Sequence, residues 1–142
     1  MRPKHKGEVT EAIVLASLLK RGYSVSIPFG NNLRYDFILD DGKQLLRAQC
    51  KTGRLRNGTI IFNTASSGFR SIRYNYKGQA DVFLVYCPGV KGVYIVPVEE
   101  LGNCAACLRV DPLKKHGTRS TVKWARKYLM KRLIDRMKQE TP

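Results

Sequence analysis

An α/β domain with a mixed central sheet is predicted for this chain, flanked by an N-terminal helix and a basic C-terminal helix. Three observations predict it. Apolar residues recur at helical spacing near the start, with Val9, Ala12, Ile13, Ala16 and Leu19 on one stripe. Between residues 23 and 98 the chain breaks into short alternating or wholly apolar runs separated by Gly, Pro, Asn and Asp. From 118 to 138, Val122, Ala125, Leu129, Leu133 and Met137 fall near one helix face among Lys and Arg. The order α-β-β-β-β-β-β-α is satisfied by helices covering a sheet.

The first helix is expected over 8–21. Gly22 is its stop, and Lys20 and Arg21 sit in the last turn, where cations suit the carbonyl end. Tyr23 to Ile27 (YSVSI) alternates and reads as a strand, and Pro28 to Asn32 as a turn. Residues 35–51 read as a hairpin, with Phe37-Ile38-Leu39 on one arm and a tight turn at Asp40-Asp41-Gly42-Lys43. The second arm ends in Gln49-Cys50-Lys51. Arg54 to Gly58 reads as a basic turn, Thr59 to Asn63 as a strand, and 65–79 as a long loop. Ala80 to Cys87 is apolar enough for a fully buried strand. Pro88-Gly89 turns the chain and Gly92 to Val98 returns. Glu99 to Cys107 is expected as a short helix, Leu108 to Val110 as an edge strand, and Thr118 to Lys138 as a long basic helix. With no repeat, low-complexity tract or linker, residues 1–142 are expected to form one domain.

A chain of 142 residues can support a core without staples, since a domain of that size buries roughly 68–70% of its unfolded surface. The charge is the outlier: 26 Lys and Arg against 11 Asp and Glu, a net +15. Such an excess favours polyanions, with DNA and RNA ahead of an anionic membrane. It is also uneven. Residues 101–142 carry +8, residues 1–60 carry +6, and residues 61–100 only +1. The middle is therefore expected to be core sheet, with both ends decorated for the partner.

Cysteines stand at 50, 87, 104 and 107. Cys50 and Cys87 lie in apolar runs and read as buried thiols. Cys104 and Cys107 form a lone CxxC without the second ligand pair a structural zinc needs, and His116 alone does not complete it. Reduced cysteines point to a cytoplasmic or organellar setting. The apolar run 12–19 superficially resembles a signal peptide. Glu8 and Glu11 before it, and the absence of a small-residue cleavage site after it, argue against secretion. No segment approaches the ~20 apolar residues of a membrane span.

The chemistry concentrates at Tyr35 to Arg54, YDFILDDGKQLLRAQCKTGR. Asp36 opens one arm of the hairpin. Strand side chains alternate faces, so Gln49 and Lys51 on the other arm point the same way. An Asp on one arm and an x-Lys pair on the other can gather a metal ligand and a cation at one spot. That is equipment for hydrolysing a phosphodiester.

Lys6-Gly7, Glu11, Arg34-Tyr35-Asp36 and Ala48 to Arg54 occur in the order helix Glu, strand Asp, next-strand x-Lys. This resembles the PD-(D/E)xK nuclease superfamily over roughly residues 4–98. It is most similar to the intron-encoded homing endonucleases of the cyanobacterial type, which share the KG…EA start, a turn like Ile27 to Gly30, the QCKTGR strand end and a VYCP segment, here 85–88. Archaeal Holliday-junction resolvases look similar over the first fifty residues but typically have Glu where this chain has Gln49. The chain departs from the pattern at Tyr35, where a Pro is usual, and at Gln49.

The resemblance implies a restriction-endonuclease-like core and a sequence-specific, Mg²⁺-dependent endonuclease of double-stranded DNA, with Mn²⁺ able to substitute. It implies a metal held by Asp36, Gln49 and Glu11, and a Lys51 that stabilises charge on the phosphate or orients the attacking water. An amide oxygen can still serve Mg²⁺, which prefers oxygen donors. Glu8 lies one turn before Glu11 on nearly the same face and competes for its role. Arg34, Arg54, Arg56, Arg70, Arg73 and Lys77 are candidate DNA contacts. For Phe69, Tyr74 and Tyr76, core packing is favoured over base contact. Cutting both strands calls for two sites, hence a homo-oligomer, a dimer or tetramer. The competing readings are a Holliday-junction-type nuclease and a non-catalytic DNA-binding module on the same fold.

Overall fold

The first helix, α1 (Pro3–Lys20), begins five residues before the expected start at residue 8. Proline suits the first turn of a helix, where its missing N–H is not needed. Residues 1–6 are exposed, so packing leaves no apolar signature there. The buried stripe is Thr10, Val14 and Leu18, not the expected Ala12, Ala16 and Leu19. Residues 12–19 (AIVLASLL) are apolar nearly all round, so the sequence marks a helix without marking its face. The structure, a computed structural model, describes residues 1–30, 32–67, 73–90, 92–102, 105–111 and 122–139.

Five strands form the central sheet: β1 (Ser24–Ser26), β2 (Phe37–Asp40), β3 (Leu45–Thr52), β8 (Val82–Tyr86) and β9 (Val93–Pro97), in the order β1-β2-β3-β8-β9. The β3–β8 pair is parallel and the others antiparallel, so the sheet is mixed as expected. A second sheet has the order β10-β5-β4, from β4 (Arg54–Arg56), β5 (Thr59–Asn63) and β10 (Ala105–Arg109). A third pairs β6 (Ala65–Ser67) with β7 (Arg73–Asn75). One apolar cluster lies between α1 and the central sheet, built on Val14, Leu18, Phe37, Leu39 and Leu84. Another joins Ile60, Phe62, Phe83, Val85 and Leu108 from the central sheet and the second sheet. Each such side chain contributes about 1.5–3 kcal/mol when fully buried.

The parallel register is held by a paired charge. Asp81 accepts from Arg47 through its backbone N (2.7 Å), Nε (3.1 Å) and Nη2 (3.0 Å). These bonds hold the Asp81 carboxyl below its usual range, more than offsetting partial burial. Asp41, buried in the β2–β3 turn, accepts from the N–H groups of Lys43 and Gln44. It also pairs with Arg136 at 3.5 Å, which ties the C-terminal segment to that turn.

Three expectations are corrected. The basic turn 54–58 is strand β4 plus a two-residue turn, Asn57 (φ 50°) and Gly58 (φ 71°). Asn-Gly with both φ positive is a hairpin signal, and exposed Arg-Leu-Arg carries no apolar alternation to announce the strand. The loop 65–79 contains the paired strands β6 and β7. The short helix at 99–107 is one 3₁₀ turn, Val98–Glu100, followed by β10. The edge strand expected at 108–110 is β10, which pairs with β5 at the edge of the second sheet and begins three residues earlier, at Ala105.

The long C-terminal helix is the largest difference. Helix α2 is only Leu133–Gln139, preceded by a 3₁₀ turn at Ala125–Lys127. Residues 122–132 run alongside β9 and β10, with Ile95 N–H donating to Tyr128 O and Met130 N–H to Val93 O, both at 2.8 Å, and bridges at Trp124 and Leu129. Backbone hydrogen bonds to β9 and β10 stand in place of the helix its spacing suggested. Residues 118–121 lie outside the described residues.

Gly53 joins β3 to β4 and donates its N–H to Tyr86 O at 2.7 Å. A Cβ there would stand 2.6 Å from Ile60 Cγ2 and 3.3 Å from both Cys87 Cβ and Val85 Cγ1. Gly53→Ala is expected to lower stability by about 1–3 kcal/mol through overpacking. Denaturant unfolding checks this, and an unchanged midpoint would show that the seam can relax.

Candidate active site

The site assembles where α1 crosses the hairpin. On β3, Leu46, Ala48 and Cys50 are buried, while Arg47, Gln49 and Lys51 share the other face, as strand alternation predicts. The β2–β3 register pairs Phe37 with Ala48. One step further sets Asp36 opposite Gln49. Asp36 is fastened by its own N–H donating to Ala48 O and by its Oδ2 accepting from Cys50 N–H, both at 2.8 Å.

Glu11 comes from α1. The preceding residue, Thr10, is buried and hydrogen-bonded to Thr52, Oγ1 to Oγ1 at 2.6 Å. This bond pins the helix to the end of β3 and brings the Glu11 carboxyl within hydrogen-bonding reach of Asp36. Burial raises the Glu11 carboxyl above its usual range, and the Asp36 charge beside it adds to the shift. Burial also raises Asp36, outweighing the Cys50 N–H, Glu11 and Lys51 that favour its charged form. Glu8 is exposed and its Oε2 lies 3.7 Å from His5 Nδ1. Of the two helix carboxylates, Glu11 is the one that meets Asp36.

Gln49 Nε2 makes one long contact, 3.5 Å to Cys50 O. The Lys51 ammonium is close enough to Asp36 to favour its charge, and Nζ also lies 3.2 Å from the Tyr76 hydroxyl. Among the described residues, no three His, Cys, Asp or Glu side chains converge. The two carboxyls that come together are Glu11 and Asp36, and Gln49, opposite Asp36 in the β2–β3 register, carries a further oxygen donor in its amide. Two carboxyls that resist being ionised side by side are a place where a divalent cation relieves repulsion. These residues fit a hard cation of the Mg²⁺ kind. Beneath them, burial holds the Cys50 thiol far above its usual range, with Asp36 adding to the effect. It is a buried thiol, as read from the sequence.

Of the candidate DNA contacts, Arg54 and Arg56 are exposed on β4, directly downstream of Lys51 in the chain, and Lys77 is exposed after β7. Arg34 is committed differently from expectation: its Nη2 donates to Tyr74 O and Asn75 O, each at 3.0 Å, and its guanidinium lies 4.0 Å from the Tyr76 ring centroid. Arg73 lies on β7 and its side chain falls outside the described residues, as do Arg70, Phe69, Cys104 and His116. Tyr76 is buried, as core packing required, whereas Tyr74 is exposed, which corrects the packing expected of it. Cys107 is exposed and free. Sequence reasoning missed the Thr10–Thr52 bond and the Lys51–Tyr76 contact. Their partners are 42 and 25 positions apart, and no local signal joins them. No helix among the described residues is long and apolar enough to cross a membrane.

The sequence profile of the PD-(D/E)XK endonuclease family matches residues 1–131. No curated protein matches the chain. Among solved structures, a bacterial homing endonuclease, I-Ssp6803I, is similar at 23% identity and a TM-score of 0.70, over 91% of this chain and 89% of that one. This likeness shows a restriction-endonuclease-like fold. Archaeoglobus fulgidus Hjc, a Holliday junction resolvase from an archaeal hyperthermophile, is similar at 17% identity and a TM-score of 0.48, over 71% of this chain and 83% of that one.

Proposed function

The chain belongs to the PD-(D/E)XK endonuclease family, and on that premise we propose that it is a Mg²⁺-dependent, sequence-specific endonuclease of double-stranded DNA, of the homing type, built as a single nuclease domain. The observation that carries this reading is the approach of both Glu11 and Lys51 to Asp36 in a chain with a net charge of +15.

Asp36, Glu11 and the Gln49 amide would hold the cation. When bound, Mg²⁺ supplies charge neutralisation at the scissile phosphate and a more acidic water. Lys51 presents N–H donors to the phosphate oxygens, where negative charge grows in the transition state. The Thr10–Thr52 bond keeps Glu11 at the end of β3, so the carboxylate pair is built before substrate arrives. Arg54 and Arg56 continue from β3 along β4 and offer the phosphate backbone two cations beside the bond being cut. Arg70, Arg73 and Lys77 extend the same proposal to the chain between β6 and β7. One site cuts one strand, so defined cuts in both strands require two copies, most simply a symmetric dimer or tetramer.

The test is cleavage of a randomised duplex library and of a four-way junction, with and without Mg²⁺. Mg²⁺-dependent cutting at a defined duplex sequence is expected. Cutting confined to the junction would replace the homing reading with a resolvase one, and binding without cutting would leave a DNA-binding module. Gln49→Glu should keep activity at lower Mg²⁺, and Gln49→Ala should lose it. If both behave as wild type, Gln49 is not a ligand.

A further inference from the structure

Lys51 closes the sequence motif, yet its ammonium is held by a residue far along the chain. Nζ lies 3.2 Å from the Tyr76 hydroxyl, 4.5 Å from the centroid of that ring and 5.7 Å from the Phe83 centroid. Tyr76 is itself immobilised. It is 5% exposed and packs edge-on against Phe83 with centroids 5.4 Å apart. Arg34 lies on the same ring and fastens the carbonyls of the two residues before it.

We propose that Tyr76 is a positioning residue for Lys51, an inference that rests on the nuclease reading above. A lysine ammonium is a compact charge on a flexible four-carbon stem. The Asp36 carboxyl, close enough to feel its charge, draws it inwards. An ammonium closed onto that carboxyl would spend its charge there and point away from a phosphate. The Tyr76 oxygen accepts one of the three N–H groups and leaves two for substrate oxygens. The phenol is rigid because the core holds its ring, so the orientation of Lys51 is set before DNA binds.

Tyr76→Phe separates this role from packing, because it keeps the ring and its volume and removes only the acceptor. The expected result is a kcat about ten- to a hundred-fold lower, the upper figure being the cost of a catalytic group misplaced by about 1 Å. KM and duplex affinity should stay within about two-fold, and the melting temperature within ~2 °C. In a Lys51→Ala background, adding Tyr76→Phe should not change the residual single-turnover rate. An unchanged kcat for Tyr76→Phe overturns the proposal, as does an equal further loss without Lys51. A raised KM with kcat intact also overturns it and makes Tyr76 a DNA contact. Where Lys51→Ala leaves no measurable rate, the split between kcat and KM decides. Wild-type cutting by Lys51→Ala would instead overturn the nuclease site itself, which keeps the two failures apart.

Discussion

Asp36→Asn is expected to abolish cleavage, by about 10²–10³-fold or more, and yet to raise the melting temperature of the metal-free protein at neutral pH. Burial raises the Asp36 carboxyl, and the same cause followed by the Asp36 charge raises Glu11. A carboxyl whose pKa is higher folded than unfolded stabilises the fold fully below its unfolded pKa. That contribution is lost as pH rises through the folded value. At neutral pH the pair is therefore a liability to the fold, kept for what it binds. Asn retains an acceptor for the Cys50 N–H and removes the charge. Its stabilising effect should shrink on acidification and vanish below the ordinary carboxylate range. Thermal melts across pH, beside a cleavage assay, check both halves. Retained cutting would remove Asp36 from the site, and a melting temperature unchanged at neutral pH would show that the raised pKa carries no strain.

DNA binding is expected to weaken by about 10³–10⁵ between 50 and 200 mM salt if six to ten phosphates are contacted. The slope of log K against log salt would then be roughly −5 to −9, at about −0.9 per contact. The net charge of +15 motivates the expectation, and Arg54 and Arg56, exposed on β4 three and five residues beyond Lys51, are where it should be felt. Arg54→Ala should reduce the slope by about one if it holds a phosphate, or relax specificity at one position if it reads a base. Arg34→Ala should act otherwise: its guanidinium is engaged with two carbonyls and a ring, so the loss should fall on stability and on kcat. A slope near zero would contradict the nucleic-acid reading.

The sequence by itself determined the elements whose signal is local. Strand β5 falls at the predicted residues, and β2, β3, β8 and β9 lie within their predicted runs to a residue or so. Alternation alone put Gln49 and Lys51 on one face, and the family order singled out Asp36 and Glu11. What it left undetermined depends on contacts between distant residues. The α1 face stayed open because residues 12–19 are apolar on every side, and only docking on Thr52 and the sheet chose Thr10, Val14 and Leu18. Glu8 and Glu11 were equivalent on a helix wheel until that docking brought one of them to Asp36. The helical spacing of 122–132 lost to backbone hydrogen bonds offered by β9 and β10, which no local propensity records. Tyr76 read as core packing and is that, but its hydroxyl found Lys51 only because β3 and the chain after β7 meet in space. Periodicity and turn chemistry act over a few residues, so the sequence shows them. The pairing of faces is settled by which surfaces can be buried together, and that is a property of the whole fold.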